Sequence, residues 1–300
     1  MVTFIPSCRP QRGWQEVSFL SFDTVCDIKV YGRLRECQTA IERVRQIFNQ
    51  YEELFSPEAR EFQAAEVQEL FKLARKIHDD SGGAFDLTVG ILAELWGFRS
   101  KAYYLPRPEQ INRALRFVGL EKIQQDNGKF LVPEGVQLDW GGIAKGWAVD
   151  QATKALQAAG IERGFINAGG DLFCWGTNPD NRDWRVGIKH PRQPGFLGVL
   201  EIRNLAAATS GDYQRYFIVN GVRYHHIFDP KTGWPARGKQ SVTVVGPETA
   251  VCDCLATAVF VLQNPDDLLK LYPDYGAIIV NEAGEILFLG RKFPFILFPP

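Results

Sequence analysis

Apolar residues recur along the first part of the chain at the spacings that helices and strands produce. Residues 17–31 are rich in β-branched and aromatic side chains, which predicts one or two strands. From about 35 to 54, and again over roughly 64–79, apolar residues return every three or four positions, which predicts two amphipathic helices. Ser81-Gly82-Gly83 should end the second helix, because glycine tolerates the left-handed turn found there. The side chains expected to face inward are Ile41, Val44, Ile47, Phe48, Tyr51, Val67, Leu70, Leu73 and Ile77.

The rest of the chain changes from helical to strand-like patterns. A short helix should follow Asp86, another should begin near Pro108, and a longer one should cover about 143–159. From 163 onward strands dominate, interrupted by one nearly all-apolar helix at about 249–262. This order predicts an α+β fold with helices packed on mixed or antiparallel sheets. Since no change in composition marks a linker, we expect residues 1–300 to form one two-lobed domain.

Composition narrows the class of protein. The chain has 300 residues, of which 45% are apolar and 23% charged, so a sizeable core is available. A net charge of −1 argues against nucleic acid or an anionic membrane surface as a partner. The chain contains no run of about 18 apolar residues, so no membrane span is predicted. The first twenty residues lack the pattern of a secretion signal, so a cytoplasmic location is expected.

The six cysteines have no framework spacing, and Cys252-Asp253-Cys254 is too tight for a CxxC knuckle. We therefore expect reduced thiols.

The apolar helix at 249–262 carries the first candidate chemistry. Asp253 and Thr257 are polar exceptions in its centre, and at four residues apart they share one face. A buried carboxylate normally shifts its pKa or finds a cation. Carboxylate and hydroxyl oxygens suit Mg²⁺, which predicts a metal site. The alternative is structural: Asp253 pairs with a lysine or backbone amides, and Thr257 bonds to the carbonyl one turn earlier.

A glycine-containing segment, Leu138-Asp139-Trp140-Gly141-Gly142-Ile143-Ala144-Lys145-Gly146, offers a second candidate. An apolar strand is expected to run into the glycines and then into a helix. Such a turn lets backbone amides approach a phosphate at the positive end of the helix. The segment matches neither GxGxxG nor the P-loop, and glycines that merely permit a tight turn are the commoner explanation.

Two further polar clusters are Asn167-Ala168-Gly169-Gly170-Asp171, which follows a strand-like run, and a longer one made of Thr209 to Tyr213 and Tyr224 to Gly233. The second contains His225 and His226. Neighbouring strand residues point to opposite faces, so at most one of these histidines should face a given cleft. A dinuclear histidine site is therefore not expected. Lys231-Thr232-Gly233 imitates a β-lactamase motif, but the chain contains no Ser-x-x-Lys.

Taken in order, these segments resemble those of the FAD:protein FMN transferases, the ApbE family. The matching stretches cover most of residues 20–290, and they are Gly83-Ala84-Phe85-Asp86-Leu87-Thr88-Val89-Gly90, Leu95-Trp96-Gly97-Phe98, Leu138 to Gly146, Asn167 to Asp171, Ser210-Gly211-Asp212-Tyr213, His226 to Gly233, Ser241-Val242-Thr243-Val244 and Asp253 to Thr257.

The resemblance implies a T-fold-like architecture with FAD and Mg²⁺ bound between two lobes. Asp253 and Thr257 match the family's metal ligands, and the backbone near Gly142 matches a third. His226 matches the histidine proposed to help activate the acceptor hydroxyl, and the alternative proton acceptors are Asp229 and a phosphate oxygen. The implied reaction moves FMN from FAD to a threonine or serine of an acceptor flavoprotein and releases AMP. The positions that match FAD contacts are Ala84, Phe85, Asp86, Asp139, Lys145 and Ile227.

The chain departs from the family pattern in two places. Pro57 to Gln63 replaces a longer family segment, and Phe22-Asp23-Thr24 stands where the family has Met-Gly-Thr. Because both regions help to enclose FAD, two other functions stay open: a Mg²⁺-dependent FAD pyrophosphatase and a non-catalytic FAD-binding module.

Overall fold

The fold is built on a large antiparallel sheet. A computed structural model describes residues 12–55, 61–62, 65–126 and 129–299. In sequence order, the eight strands of this sheet are β1 (Arg12–Ser21), β2 (Thr24–Arg33), β6 (Arg163–Ala168), β7 (Asp171–Trp175), β10 (Leu205–Gly211), β13 (Lys239–Gly246), β14 (Gly276–Asn281) and β15 (Ile286–Gly290). This is also their spatial order across the sheet, and each neighbouring pair with a described register is antiparallel.

Three smaller sheets accompany it. Their strands are β3 (Glu61–Phe62), β4 (Gln124–Asp126) and β5 (Lys129–Leu131); β8 (Trp184–Lys189), β9 (Phe196–Ile202) and β16 (Phe295–Leu297); and β11 (Tyr216–Val219) and β12 (Val222–His225). The last pair is an isolated hairpin.

Seven α-helices lie in the described ranges, and they are α1 (Leu34–Leu54), α2 (Ala65–Asp80), α3 (Gly90–Leu95), α4 (Pro108–Ala114), α5 (Ala144–Ala158), α6 (Thr249–Val261) and α7 (Asp266–Lys270). No described helix has the length and apolar character that crossing a membrane requires.

The helices α1, α5 and α6 pack beside one another against the large sheet. Helix α1 buries one face only, as its apolar periodicity predicts, whereas α6 is buried on nearly every face. Strands β10 and β13, which lie against α6, are correspondingly buried at consecutive positions rather than at alternate ones. On the other face of the sheet, β8 and β9 cover a second apolar cluster that includes Leu200 and Ile202.

A third cluster is aromatic and surrounds Trp96. It packs α3 and α4 against the β11–β12 hairpin through Phe217, Tyr224 and Phe228. This packing attaches an otherwise isolated two-stranded sheet to the body of the protein, which matters because a lone hairpin is only marginally stable.

The predicted elements are largely confirmed, including the α+β class, the antiparallel pairing and the helix at 249–261. The glycines Gly82 and Gly83 have left-handed backbone angles at the end of α2, as expected. One prediction is wrong: residues 136–140 form no strand. Val89 and Gln137 make an isolated bridge there, and Asp139 N–H donates to the Leu87 carbonyl at 2.7 Å. The segment is extended because it runs alongside residues 87–90 rather than within a sheet.

Five cysteines are buried free thiols, namely Cys26, Cys37, Cys174, Cys252 and Cys254. Cys8 and most of the shortened Pro57 to Gln63 segment lie outside the described residues.

Candidate functional site

Helix α6 presents Asp253 and Thr257 on one face, as their spacing predicts. Asp253 is only 4% exposed. The Thr257 hydroxyl lies 3.1 Å from Ser210 Oγ on β10. Thr257 is therefore held by a side chain of the sheet and not by the carbonyl one turn earlier in its own helix.

Asp253 belongs to a buried group of two carboxylates and one ammonium. Lys145, in the first turn of α5, forms an ion pair with Asp171 at the start of β7. The same ammonium lies 3.5 Å from Asp253 Oδ2 and donates to the Gly141 carbonyl at 3.2 Å. The structural alternative considered for Asp253, a lysine partner, is thus present. It is incomplete, because Asp253 Oδ2 is buried and accepts no hydrogen bond.

The electrostatics of this group disfavour the ionised form of Asp253, because one ammonium serves two buried carboxyl groups. Burial and the neighbouring charge of Asp171 raise the pKa of Asp253 well above its ordinary value, and Lys145 only partly opposes them. Burial disfavours the charge on Lys145, but Asp171 and Asp253 outweigh burial and raise its pKa. The lysine is therefore charged, and one ammonium faces two carboxylates. A second cation beside Asp253 would lower the free-energy cost of burying the carboxylates of Asp253 and Asp171.

The residues near Asp253 fit a hard divalent cation that keeps several of its waters. Gly142 packs directly against Thr257, since a Cβ built on Gly142 would lie 3.1 Å from Thr257 Oγ1. A carboxylate, a hydroxyl and a backbone segment thus converge, and oxygen donors of this kind suit Mg²⁺. In the described part of the chain, no group of three or more His, Cys, Asp or Glu side chains could hold a metal. A bound cation would therefore depend on water or ligand oxygens as well.

The segment before α5 forms a tight turn that leads into the N-terminus of the helix. Asp139 Oδ1 accepts the Gly141 N–H at 2.8 Å, which closes the turn. Helix α5 begins after Ile143, whose own side chain makes no capping hydrogen bond, and the Ala144 N–H donates to the Trp140 carbonyl at 2.9 Å. The positive end of a helix favours an anion, and phosphate is the usual one.

The first amides of α6 are bonded by a side chain of α5. Asp150 of α5 accepts the backbone N–H groups of Thr249 and Ala250, at 2.8 and 2.9 Å. Burial raises the pKa of Asp150 to about 6, so the carboxylate is ionised at neutral pH and can accept both donors. This cap joins the two helices that carry Lys145 and Asp253.

The predicted FAD contacts Ala84, Phe85 and Asp86 follow the end of α2, and all three are buried. The Phe85 ring lies beside Gly142, where it would be 3.2 Å from an added Cβ. The Asp86 carboxylate is occupied internally: it accepts the Thr88 N–H and hydroxyl at 2.7 and 2.5 Å and the Leu120 N–H at 3.0 Å. Asp86 therefore shapes the loop that carries Phe85.

The adjacent histidines have different environments. His225 is 2% exposed, and both ring nitrogens are bonded: Nε2 donates to the Ala236 carbonyl at 2.8 Å, and Nδ1 accepts the Ile227 N–H at 3.3 Å. Ile227 is buried, and its own carbonyl accepts the Ala236 N–H at 2.9 Å. His225 and Ile227 together hold the end of the hairpin to the segment around 236.

His226 is partly exposed, and its Nδ1 lies 3.3 Å from the Arg215 carbonyl. A carbonyl can only accept, so Nδ1 carries the proton and Nε2 keeps a lone pair. Burial, followed by the positive charge of Arg215, lowers the pKa of His226 to about 3, so the ring is neutral. Lys145 also lowers the pKa of His226, and Arg215 acts on Lys145 in turn. The imidazole and the carboxylate–ammonium group thus share one electrostatic environment.

Sequence reasoning did not select three of these residues as site residues: Asp171, Ser210 and Arg215. Asp171 and Ser210 lie inside the polar clusters identified in the sequence, but no pattern in the chain pairs them with Lys145 or Thr257. Arg215 carries no motif at all. Only the packing of β7, β10 and the hairpin around α5 and α6 brings them to the site.

Comparison with known proteins identifies one family. The model of the ApbE family matches residues 22–279. A FAD:protein FMN transferase from Treponema pallidum is 29% identical over 299 residues, which cover 87% of this chain and 83% of that protein. One from Vibrio cholerae is 37% identical over 64% of this chain, and the alignment spans 59% of that protein's own length. A crystal structure of an ApbE protein from Thermotoga maritima superposes with a TM-score of 0.85 and 33% identity, covering 92% of this chain and 97% of that one.

Proposed function

The chain belongs to the ApbE family, and from this membership and the geometry of the site we propose that it is a Mg²⁺-dependent FAD:protein FMN transferase. It would transfer FMN from FAD to a threonine or serine hydroxyl of an acceptor flavoprotein. The observation that carries the proposal is the buried Asp253 Oδ2, which accepts no hydrogen bond and lies on the same helix face as Thr257, against which Gly142 packs.

The metal site of this proposal consists of Asp253, Thr257 and the backbone at Gly142. Mg²⁺ bound there would neutralise charge on the diphosphate, which is the main requirement of phosphoryl transfer. Lys145 and the first amides of α5 would bind diphosphate oxygens, because they supply positive charge at the same place. Asp171 keeps Lys145 charged and oriented.

The remaining predicted FAD contacts would position the substrate. Phe85 lines the site beside Gly142. Asp139 lies in the turn that leads into α5, and Ile227 directly follows His226. Asp86 would contribute through the loop it holds, since its carboxylate is already bonded.

His226 would accept the proton of the acceptor hydroxyl at Nε2. The hydroxyl oxygen forms a bond to the FMN phosphorus, the bridging P–O bond of the diphosphate breaks, and AMP leaves. A neutral imidazole with Nδ1 held by a carbonyl is suited to this role. Its low pKa in the free protein should rise once the anionic diphosphate lies nearby.

The test is to incubate the protein with FAD, Mg²⁺ and a flavoprotein that bears an accessible threonine, and to measure intact mass. We expect the acceptor to gain one FMN phosphoester and AMP to accumulate in equal amount. A parallel sample without acceptor separates the other functions: rapid release of AMP and free FMN would indicate a pyrophosphatase. Bound FAD without any AMP in either sample would indicate a non-catalytic module.

A further inference from the structure

A polar pocket of ≈ 320 Å³ lies where the β11–β12 hairpin meets the segment before β13. Four of its lining residues are cationic and two are acidic. The charged residues that line it are Arg192, Arg223, Arg237, Lys239, Asp212 and Glu282. The pocket therefore has an excess of positive charge, and neither its residues nor that charge has a role in the reaction proposed above.

The internal bonds of the pocket use only part of its donor capacity. Arg192 forms a two-pronged pair with Asp212, with N–O distances of 2.6 and 2.7 Å, so these two charges compensate each other. Arg223 lies 3.7 Å from Asp212 Oδ1 and stacks on the Tyr216 ring at 3.9 Å. Arg237 donates one bond, from Nη1 to the Arg223 carbonyl at 3.0 Å. Each guanidinium has five N–H donors, so Arg223 and Arg237 can still bind an anion.

The pocket is connected to the candidate site through two chain segments. His225 lines the pocket, and the next residue is His226. Asp212, which also lines it, is two residues beyond Ser210, whose hydroxyl meets Thr257. A protein that brings a hydroxyl to His226 must therefore approach beside the hairpin. The hairpin also exposes apolar side chains, Ile218 at 58% and Val222 at 40%.

We propose that this pocket binds a carboxylate side chain of the acceptor protein, close to the hydroxyl that receives FMN. The proposal rests on the proposed function, since it assigns a role to the acceptor. A carboxylate fits because arginine guanidinium groups bind it with paired hydrogen bonds. FAD is the less suitable ligand, because Lys145 and the start of α5 already supply positive charge for its diphosphate. Charge complementarity at this pocket would then help to select the acceptor.

The experiment compares two labelled short peptides by fluorescence anisotropy at low salt. Each has one threonine, flanked by aspartates in the first peptide and by asparagines in the second. We expect the aspartate peptide to bind more tightly. Arg237→Gln should weaken its binding about fivefold, the scale of one exposed ion pair, and Arg237→Glu should weaken it further. Both variants should fold, because the described bond of the Arg237 side chain is to a single carbonyl.

Arg35→Gln, which removes an exposed arginine on α1, serves as the matched control and should leave binding unchanged. Equal binding of the two peptides, or equal effects of Arg237→Gln and Arg35→Gln, would overturn the proposal. So would a loss of FAD affinity in Arg237→Glu with the peptide preference intact, because the pocket would then belong to FAD. Binding needs no turnover, so absence of FMN transfer in the wild type refutes the proposed function separately.

Discussion

At the scale of single residues, the site depends on charges that are buried together. Asp253 and Asp171 share Lys145, and Asp253 Oδ2 is fully buried without a hydrogen bond. Removing a carboxylate from such a group relieves repulsion and desolvation, whereas removing its cation would leave both carboxylates unpaired. Stability and activity should therefore respond in opposite directions to substitutions of Asp253.

Asp253→Asn should abolish most Mg²⁺-dependent FMN transfer and leave the fold intact. We expect activity to fall by about 100-fold or more, because even indirect partners of a metal ligand contribute about 10- to 100-fold. The urea midpoint should stay the same or rise, since Lys145 keeps Asp171 as its partner. Initial rates of AMP release across a Mg²⁺ titration measure the first effect. Full activity at low Mg²⁺ would refute the metal assignment.

His226→Gln should slow transfer and leave FAD binding nearly unchanged. The substitution removes the lone pair at Nε2 but keeps a polar side chain that can still reach the Arg215 carbonyl. General base catalysis typically contributes about 10²- to 10⁴-fold, so kcat should fall within that range. Single-turnover transfer and FAD fluorescence quenching, measured on the same preparation, separate the two effects. A variant with the wild-type rate would remove His226 from the mechanism.

At the scale of elements, α5 and α6 position the site through a very close approach. Gly146 makes this approach possible: a Cβ there would lie 2.7 Å from the Thr249 carbonyl oxygen and 2.8 Å from Ala250 Cα. Both contacts are with backbone, which cannot rotate away. Asp150 then bonds the first amides of α6 from the same helix. The start of α6 is thus held against α5, and Asp253 is held near Lys145.

Gly146→Ala should therefore destabilise the protein and impair the site. Overpacking of this kind lowers the free energy of unfolding by about 1–3 kcal/mol. The displaced α6 should also weaken the binding of Mg²⁺, because it carries Asp253. Gly13→Ala is the control, because nothing lies within 4 Å of its added Cβ. Urea unfolding of both variants gives the comparison. Equal midpoints for Gly146→Ala and the wild type would mean that the two helices can separate at no cost.

At the scale of the whole molecule, His225 links three parts of the fold. Its ring bonds the Ala236 carbonyl, accepts the Ile227 N–H and packs edge-on against Phe260 of α6 at 5.5 Å. Burial lowers the pKa of His225 to about 4, from 6.5, with Arg237 and Arg223 adding to the effect and Asp212 opposing it. Since the unfolded chain takes up the proton first, acid should favour unfolding.

The free energy of unfolding should therefore fall as the pH falls from about 6.5 towards 4. His225 alone can account for up to about 3 kcal/mol of this loss, since each pKa unit corresponds to about 1.4 kcal/mol. His225→Gln cannot take up this proton, so its stability should depend less on pH in this range, even if it is lower overall. Urea titrations at several pH values test the slope. Parallel slopes for variant and wild type would show that His225 does not carry the acid sensitivity.

The sequence by itself determined the elements and the two residues on one face of α6. Periodicity reports which face of a helix is buried, and a polar pair inside an apolar helix stands out without any structure. The family resemblance also came from the order of local motifs, which needs no contacts.

Only the tertiary structure decided which charges meet. Lys145 and Asp171 are 26 residues apart, and their pairing depends on how α5 packs on β7. The same holds for the bond between Ser210 and Thr257, for the internal use of the Asp86 carboxylate, and for the cationic pocket beside the hairpin. Local patterns record the burial of a side chain, but the partner of a buried charge is chosen by long-range packing.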